Sequence, residues 1–414
     1  MNKLQELYEE ISKCNKCGFC QSVCPVFQET RIEGSVARGR LALIRETVEG
    51  QIAFDHEFKD TLYECLLCKN CVENCPGGVT GDSILLAARE TMAANHIPLV
   101  QKLVFNHLLK HPKRLSLTGR LLQIYEKTGL RKAFRKTGLI GLLGPLAKSE
   151  DFLPKIANTF RDLQGGLAPN PQEANYKVSF FLGCGTNLLK PSQGFAAVNT
   201  LRKLGCFVQI PETLCCSLPA VSYGHSGVAQ EMAKKNIELL LAEESDYIVS
   251  DCASCSSALK DYPKLFKEDD AYYQKALDVA CKVHDYAQLT LKLSTGSWQR
   301  PKEQVVTYHV PCHLARGLKA GSEPKKLLAD IKGLNYVELP EADYCCGAAG
   351  SYFITYPELS EKVLRRKMQN IKKTGASLVA TSCPACVMQL ERGARMINHP
   401  VKVMHIAEII EGIV

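Results

Sequence analysis

The sequence predicts an α and α/β protein: a helical N-terminal domain, a basic helical linker, then two duplicated α/β domains with parallel strands. Three observations predict it. Two cysteine quartets of one shared spacing open the chain, a segment beginning at residue 176 is repeated, and each copy alternates short β-branched runs with helical ones. The expected boundaries are 1–95, 96–172, 173–295 and 302–414.

With 414 residues, 46% of them hydrophobic and 23% charged, the chain can bury several cores without covalent staples. Its twenty cysteines are about 5% of the chain, below the roughly 8–10% of small disulfide scaffolds. The opening "MNKLQELYEEISKC" reads as a charged amphipathic helix and not as a secretory signal. A reducing, cytoplasmic compartment follows, where clustered cysteines mean metal or redox chemistry. No apolar run approaches the ~20 residues that span a bilayer; "LIGLLGPLA" at 139–147 is half that length and broken by proline and glycines. The expected location is the cytoplasm, with peripheral contact at the inner face of the membrane.

In the N-terminal domain, Cys14, Cys17, Cys20 and Cys24 lie in "CNKCGFCQSVCP", and Cys65, Cys68, Cys71 and Cys75 in "CLLCKNCVENCP". Both read C-x2-C-x2-C-x3-C-P, the spacing of two-cluster bacterial ferredoxins, in which the fourth cysteine ligates the other cluster. Two [4Fe–4S] cubes are therefore expected, one on Cys14, Cys17, Cys20 and Cys75, the other on Cys65, Cys68, Cys71 and Cys24. Structural zinc would need only C-x2-C pairs. Between the quartets, residues 35–50 read as a helix bearing Arg38, Arg40 and Arg45, expected as a solvated face with one cluster contact. A second helix is expected over 80–96, capped by Asp82 or Ser83.

The linker holds most of the charge. Gln101–Lys148 contains eleven Lys and Arg against one acid, Glu126, giving +10, whereas the whole chain is +8. Over 102–148 this charge is mixed with Leu, Ile and Phe at helical spacing, the composition of a helix lying in a membrane interface or on an acidic partner. The remainder is near neutral, and no nucleic-acid partner is expected.

From residue 176 the repeat begins. Cys184, Cys215, Cys216, Cys252 and Cys255 recur as Cys312, Cys345, Cys346, Cys383 and Cys386, at offsets of 128, 130, 130, 131 and 131. Chance does not hold five offsets so close, so the segment is a duplication. Each copy reads strand, cysteine, helix, strand, cysteine pair, helix, strand, C-x2-C, helix. That order implies parallel strands with right-handed crossovers, and the loops leaving their carboxyl ends share one edge. All five cysteines of a copy fall on those loops. Adjacent cysteines make a strained disulfide, because their Cα atoms are only about 3.8 Å apart. Each pair is instead expected to hold a metal centre, with Gly347 letting the backbone approach it. His225, His309 and His313 stand near these cysteines, in positions where a histidine ligates or hydrogen-bonds to cluster sulfur. Cys206 and Cys281 lie outside the repeated set and read as buried, inert thiols.

The pattern C…CCG…C-x2-C resembles the cysteine-rich CCG domain of heterodisulfide reductases. Joined to a ferredoxin-like module, nearly the whole chain resembles the iron–sulfur subunits of bacterial glycolate oxidase, and the anaerobic glycerol-3-phosphate dehydrogenase iron–sulfur subunit shares the layout. Beyond the cysteines, "ARGR" at 37–40, "PCHL" at 311–314 and "CCGAAGSY" at 345–352 carry the likeness. It implies a helical bis-[4Fe–4S] ferredoxin-like domain followed by two CCG domains. Each CCG domain would hold a further iron–sulfur cluster, noncubane [4Fe–4S] in the heterodisulfide reductase branch, or a zinc. The first copy departs from the pattern, since Ser217 stands where the glycine belongs; a cluster, a zinc and no metal are all open there.

No G-x-G-x-x-G fingerprint or P-loop occurs, so flavin is expected on another chain. The resemblance implies an electron-transfer subunit of a glycolate- or lactate-oxidising complex. Its partners would be an FAD-containing 2-hydroxy acid dehydrogenase subunit and a quinone or other acceptor, with no catalytic residue on this chain. The alternatives are a reductase whose five-cysteine cluster cleaves a substrate disulfide, and the glycerol-3-phosphate type of subunit.

Overall fold

All eight described strands pair in parallel. In the computed structural model, which describes residues 2–55, 58–95, 97–128, 158–294 and 298–413, they form two four-stranded sheets. The first contains β1 (Tyr176–Phe180), β2 (Cys206–Gln209), β3 (Tyr247–Ser250) and β4 (Val283–Asp285) in the order β2-β1-β3-β4. The second contains β5 (Gln299–Tyr308), β6 (Lys332–Tyr336), β7 (Leu378–Thr381) and β8 (Lys402–His405) in the order β6-β5-β7-β8. One order is the other shifted by four, so the duplication is one of topology. β5 begins ahead of residue 302, and its pairing with β6 shifts register between Gln299 and Gln304, around Pro301, which has no N–H to donate.

Burial follows strand position. Every residue of the inner strand β7 is buried, as in parallel sheets covered on both faces. The edge strand β2 alternates, with Cys206 and Val208 in and Phe207 out. Helices cover the faces. Pro357–Lys373, opened by proline in its first turn, buries Val363, Leu364, Met368 and Ile371 and exposes Lys362, Arg365 and Lys372.

The two sheets are related by an approximate two-fold. Helix Pro191–Lys203 of the first copy packs on Ile406–Glu411 of the second, and their counterparts Glu323–Asp330 and Tyr286–Leu293 pack likewise. One apolar core runs through both sheets, joining Val178, Leu201 and Val249 to Val306, Leu364 and Ile409. The carboxyl edges of the sheets meet there. Ala253 N–H donates to the Ser382 carbonyl at 2.9 Å, and His405 Nε2 lies 2.7 Å from the Asp251 carbonyl.

The N-terminal domain is helical, with Ala37–Val48 packed on Gly81–Asn95 around Leu41, Ile44, Leu62, Ile84 and Ala88. The second helix starts before Asp82 and Ser83, so neither caps it. Thr80 precedes the first turn and accepts from Ser83 N–H at 3.0 Å; Glu10, from another helix, accepts from both Thr80 N–H and its hydroxyl. Asp82 instead faces Lys69 at 3.5 Å. Cys206 is buried as expected, but Cys281 is exposed. It sits beside the Ala276, Val279, Ala280 stripe of its helix and points away from it.

In the linker, Pro112–Lys127 is helical, and Leu103–Leu109 forms a wider π-helical turn that docks on the first repeat. There Phe105 meets Tyr223 and His225, and the Leu109 carbonyl accepts from Cys215 N–H at 3.5 Å. The helix expected further on, through residue 148, lies outside the described residues beyond 128.

Arg89 ties the N-terminal domain to the first repeat. Fully enclosed, it donates to the carbonyls of Leu62, Cys65 and Ser222, each at 2.7 Å, and its guanidinium covers the Tyr63 ring. Its own backbone touches Gly224, whose φ is +82° and where a Cβ would lie 2.3 Å from the Arg89 carbonyl. Gly224→Ala therefore combines a disfavoured backbone with a backbone clash and should destabilise the anaerobic holoprotein by about 2–4 kcal/mol. Gly227→Ala, where a Cβ meets nothing within 4 Å, should be neutral in the same denaturation measurement.

Candidate metal centres

Two apolar cavities in the N-terminal domain are walled by thiols. One is lined by Cys24, Cys65, Cys68 and Cys71, with Leu41, Ile44, Leu66 and Leu85. The other is lined by Cys14, Cys17, Cys20 and Cys75, with Cys71 on the shared wall. Each cavity thus gathers three cysteines of one quartet and the fourth of the other.

The loops repeat in conformation as well as spacing. Lys16 and Gly18 have positive φ, and so do Leu67 and Lys69 at the same two places of the second loop. Three of these are not glycine, and such residues cost roughly 1–3 kcal/mol each unless the surroundings fix them. The turns bring backbone N–H groups onto sulfur: Leu67 to Cys65 and Val79 to Cys75, both at 3.4 Å, and Phe27 to Cys24 at 3.5 Å. Burial pushes the thiols of Cys20, Cys24, Cys68 and Cys71 up, so these cavities resist thiolate unless a cation enters. Four converging thiols, N–H groups on sulfur and an apolar wall fit a cubane iron–sulfur cluster.

The arginines differ from the expected solvated face with one cluster contact, since two of the three line thiol cavities. Arg40 is buried, donates to the carbonyls of Ser35 and Thr61, and lines the Cys24 cavity. Arg38 lines the other cavity, donating to the Lys16 carbonyl and pairing with Glu33. Only Arg45, paired with Glu49, lies away from the thiols. One helix therefore sends a cation to each cavity, because residues two apart on it face different sides.

In each repeat the five thiols converge at the carboxyl edge of the sheet. Cys312 and Cys184 head the helices after β5 and β1. The pairs follow β6 and β2, and the C-x2-C motifs follow β7 and β3. Cys346 Sγ lies 3.5 Å from Cys386 Sγ. Hydrogen bonds from Cys312 and Cys346 hold Cys345 below the usual thiol range, and both donors are pushed up in turn. Cys216 stands in the same relation to Cys215 and Cys255. Without a metal, such a set carries charge on only some of its sulfurs, so its full use as thiolates requires a cation.

The sets also meet one another. Cys252 and Cys383, equivalent across the approximate two-fold, are 4.0 Å apart at sulfur, with Ser254 Oγ 3.8 Å from Cys383. At the other end, Cys68 neighbours Cys345 and Cys312 in one buried cluster with Val26, Leu66 and Tyr344. Arg316 bonds Glu73 and Asp343 at this junction, and Lys69 of the same quartet loop bonds Asp261 of the first repeat at 3.1 Å. The four thiol sets form one unbroken row, from the Cys14 cavity through the Cys24 cavity and the second repeat to the first.

Position 217/347 needs a left-handed backbone in both copies: φ is +66° at Ser217 and +83° at Gly347. Glycine is further required in the second copy, where a Cβ would lie 2.8 Å from the Ser360 carbonyl. In the first, the Ser217 hydroxyl donates to the Cys216 carbonyl at 2.6 Å. Of the three histidines, His225 bonds Gln101 and lies tilted against Phe105. His313 Nδ1 meets Ser254 Oγ at 3.0 Å, and His309 faces Cys346 and Cys386. Arg89 and Lys69 were not singled out from sequence. The signal for Arg89 is an arginine on the apolar stripe of its helix, beside Leu85, Ala88 and Met92.

Comparison with known proteins agrees with this layout. A 4Fe-4S dicluster domain model matches residues 10–79, a glycolate oxidase iron-sulfur subunit linker-region model matches 97–153, and a cysteine-rich domain model matches twice, at 178–260 and 306–391. Lactate utilization protein A is 33% identical over 57% of this chain and 99% of its own length in Bacillus subtilis. The protein of that name in Oceanobacillus iheyensis is 34% identical over 56% of this chain and 96% of its own. The probable glycolate oxidase iron-sulfur subunit of Bacillus subtilis is similar from end to end, covered over 93% of its length. With 31% identity to that protein along 97% of its own length, the chain belongs to the family of glycolate oxidase iron–sulfur subunits.

Proposed function

We propose that this chain carries electrons from an FAD-containing 2-hydroxy acid dehydrogenase subunit, for glycolate or lactate, toward a quinone or other acceptor. The observation that supports this most is the unbroken row of thiol sets across three domains. In this reading Cys14, Cys17, Cys20 and Cys75 hold one [4Fe–4S] cube, and Cys24, Cys65, Cys68 and Cys71 hold the other. Cys312, Cys345, Cys346, Cys383 and Cys386 hold a further iron–sulfur centre, and Cys184, Cys215, Cys216, Cys252 and Cys255 hold a second such centre or another metal. The division 1–95, 96–172, 173–295 and 302–414 assigns each centre to its domain. Bound there, iron–sulfur clusters take and give single electrons with little rearrangement. The chain's own part is to exclude water and to set charge. Leu41, Ile44 and Leu85 keep one cavity dry, Arg40 and Arg38 offset the thiolates, and Tyr344 and Val26 close the junction between the cubes and the second repeat.

Contact with a membrane surface is the second part of the proposal. No helix among the described residues is long and apolar enough to cross a membrane. Helix Pro112–Lys127 nevertheless packs on the first repeat through Gly119, near Leu188, and turns Leu117, Leu121 and Ile124 outward, each more than half exposed. Lys113 and Arg114 are exposed on the same helix. Each basic residue near an anionic leaflet is worth roughly 1 kcal/mol, and salt screens it.

Anaerobically isolated protein should contain about eight iron from the quartets and about four from each occupied repeat. Cys71→Ser should remove one cube's paramagnetic signal and leave the other reducible; two unchanged cubes would refute the partition. Cys345→Ser should lower acceptor reduction by the complex roughly a hundredfold while flavin reduction by substrate continues, and full turnover would make the pair merely structural. On anionic liposomes, Lys113→Gln and Arg114→Gln combined with Leu117→Gln, Leu121→Gln and Ile124→Gln should abolish salt-sensitive sedimentation. Unchanged sedimentation would leave the segment a linker only.

A further inference from the structure

The two repeats differ at one buried position beside their thiols. Phe181 follows β1 and His309 follows β5. Phe181 N–H donates to the Val249 carbonyl at 2.7 Å, and His309 N–H to the Ala380 carbonyl at 2.9 Å. Val249 and Ala380 are themselves equivalent residues of β3 and β7, so one place in the fold holds phenylalanine in one copy and histidine in the other. Both side chains are fully buried. Phe181 lies in one buried apolar cluster with Cys215, Cys216 and Cys255. His309 brings a ring nitrogen within 4.8 Å of the sulfurs of Cys346 and Cys386, the counterparts of Cys216 and Cys255.

A buried imidazole left without hydrogen bonds is costly, and buried polar groups are almost always paired. Neither ring nitrogen of His309 has a hydrogen-bond partner. The Ala342 carbonyl acts weakly on the ring without forming an aligned bond. A metal-bound histidine gives one nitrogen to the metal and commonly turns the other to a backbone carbonyl. His309 offers both elements of that arrangement, a ring nitrogen within 4.8 Å of two sulfurs and a carbonyl nearby.

We propose that His309 is a nitrogen ligand of the second-repeat metal centre, sharing one metal atom with Cys346 and Cys386, and that the first repeat lacks this ligand because Phe181 replaces it. The proposal rests on the reading that the second repeat binds metal. Its consequence is chemical: a neutral imidazole adds no negative charge, and histidine ligation raises an iron–sulfur potential above that of an all-thiolate site. The second-repeat centre is then easier to reduce than an all-cysteine version of itself.

The test uses the anaerobic full-length holoprotein grown with natural-abundance or nitrogen-15 histidine, alongside His309→Phe, His309→Cys and Cys386→Ser. Phenylalanine is already accepted at the equivalent place, so His309→Phe should fold. Pulsed paramagnetic resonance should find a strong histidine nitrogen coupling in the parent that is absent from both His309 variants, and His309→Cys should titrate at a lower potential. If zinc occupies the site, absorption at the zinc edge should count one nitrogen in the parent and none in His309→Cys. A parent centre without such a nitrogen, or a nitrogen that survives His309→Phe, overturns the assignment. Metal content unchanged in Cys386→Ser would instead overturn the underlying reading that the second repeat holds metal.

Discussion

Thiols buried shoulder to shoulder impose the constraint on which this structure depends. A neutral thiol is a small hydrophobe and costs little in a core, but a thiolate there is opposed by desolvation and by its neighbours. Eighteen of the twenty cysteines lie in four groups, all of them buried or half-buried except the exposed Cys17. In the repeats, a thiol such as Cys345 can be favoured as an anion only at the expense of Cys312 and Cys346 beside it. A bound metal lifts this competition by giving every sulfur a cation to face. The fold supplies what the metal does not: N–H groups on sulfur, and buried cations at fixed places.

Parallel topology is what makes the convergence inexpensive. Each sheet delivers three loops to one edge, and each loop brings one or two cysteines without any helix having to bend. The approximate two-fold then sets the two edges against each other, so that Cys252 meets Cys383. The N-terminal domain is placed by a different device, a polar one. Arg89, Lys69 and Arg316 each join elements from separate domains, and such buried or half-buried pairs fix geometry more than they add stability. Apolar packing holds the sheets together, and charged contacts align the N-terminal domain to them.

The cysteine spacing, the repeat, and the placement of thiols after strands were legible because each is local or periodic in the chain. Strand loops inherit their position from the strand before them, so "DYCCG" could be placed at an edge without knowing what faced it. What the sequence withheld was long-range. Arg40 looked solvated because arginines usually are, yet its guanidinium is enclosed by the Ser35 and Thr61 carbonyls and the wall of the Cys24 cavity. Cys281 looked buried because cysteines usually are, yet it lies off the stripe of its helix. Thr80 replaced the expected caps because Glu10, seventy residues earlier, takes both of its donors. The errors at Arg40 and Thr80 come from contacts between segments that carry no mutual signal in a single sequence, whereas that at Cys281 is local to its helix.

Duplication by itself gives a symmetric pair of sites. The differences between the copies break that symmetry. Among the described residues, the second repeat reaches Cys68 through Cys345 and Cys312, whereas the first meets the same quartet loop through the Lys69–Asp261 ion pair. Among the described residues, the linker covers the first, where its Leu109 carbonyl reaches Cys215. Ser217 keeps the left-handed turn with a local hydrogen bond, whereas Gly347 keeps it because the Ser360 backbone lies close behind. Neither solution could be exchanged freely for the other: serine at 347 would meet that carbonyl, and glycine at 217 would forfeit the bond to Cys216. The two copies have thus been fitted to different neighbours while their sheets stayed superimposable in order.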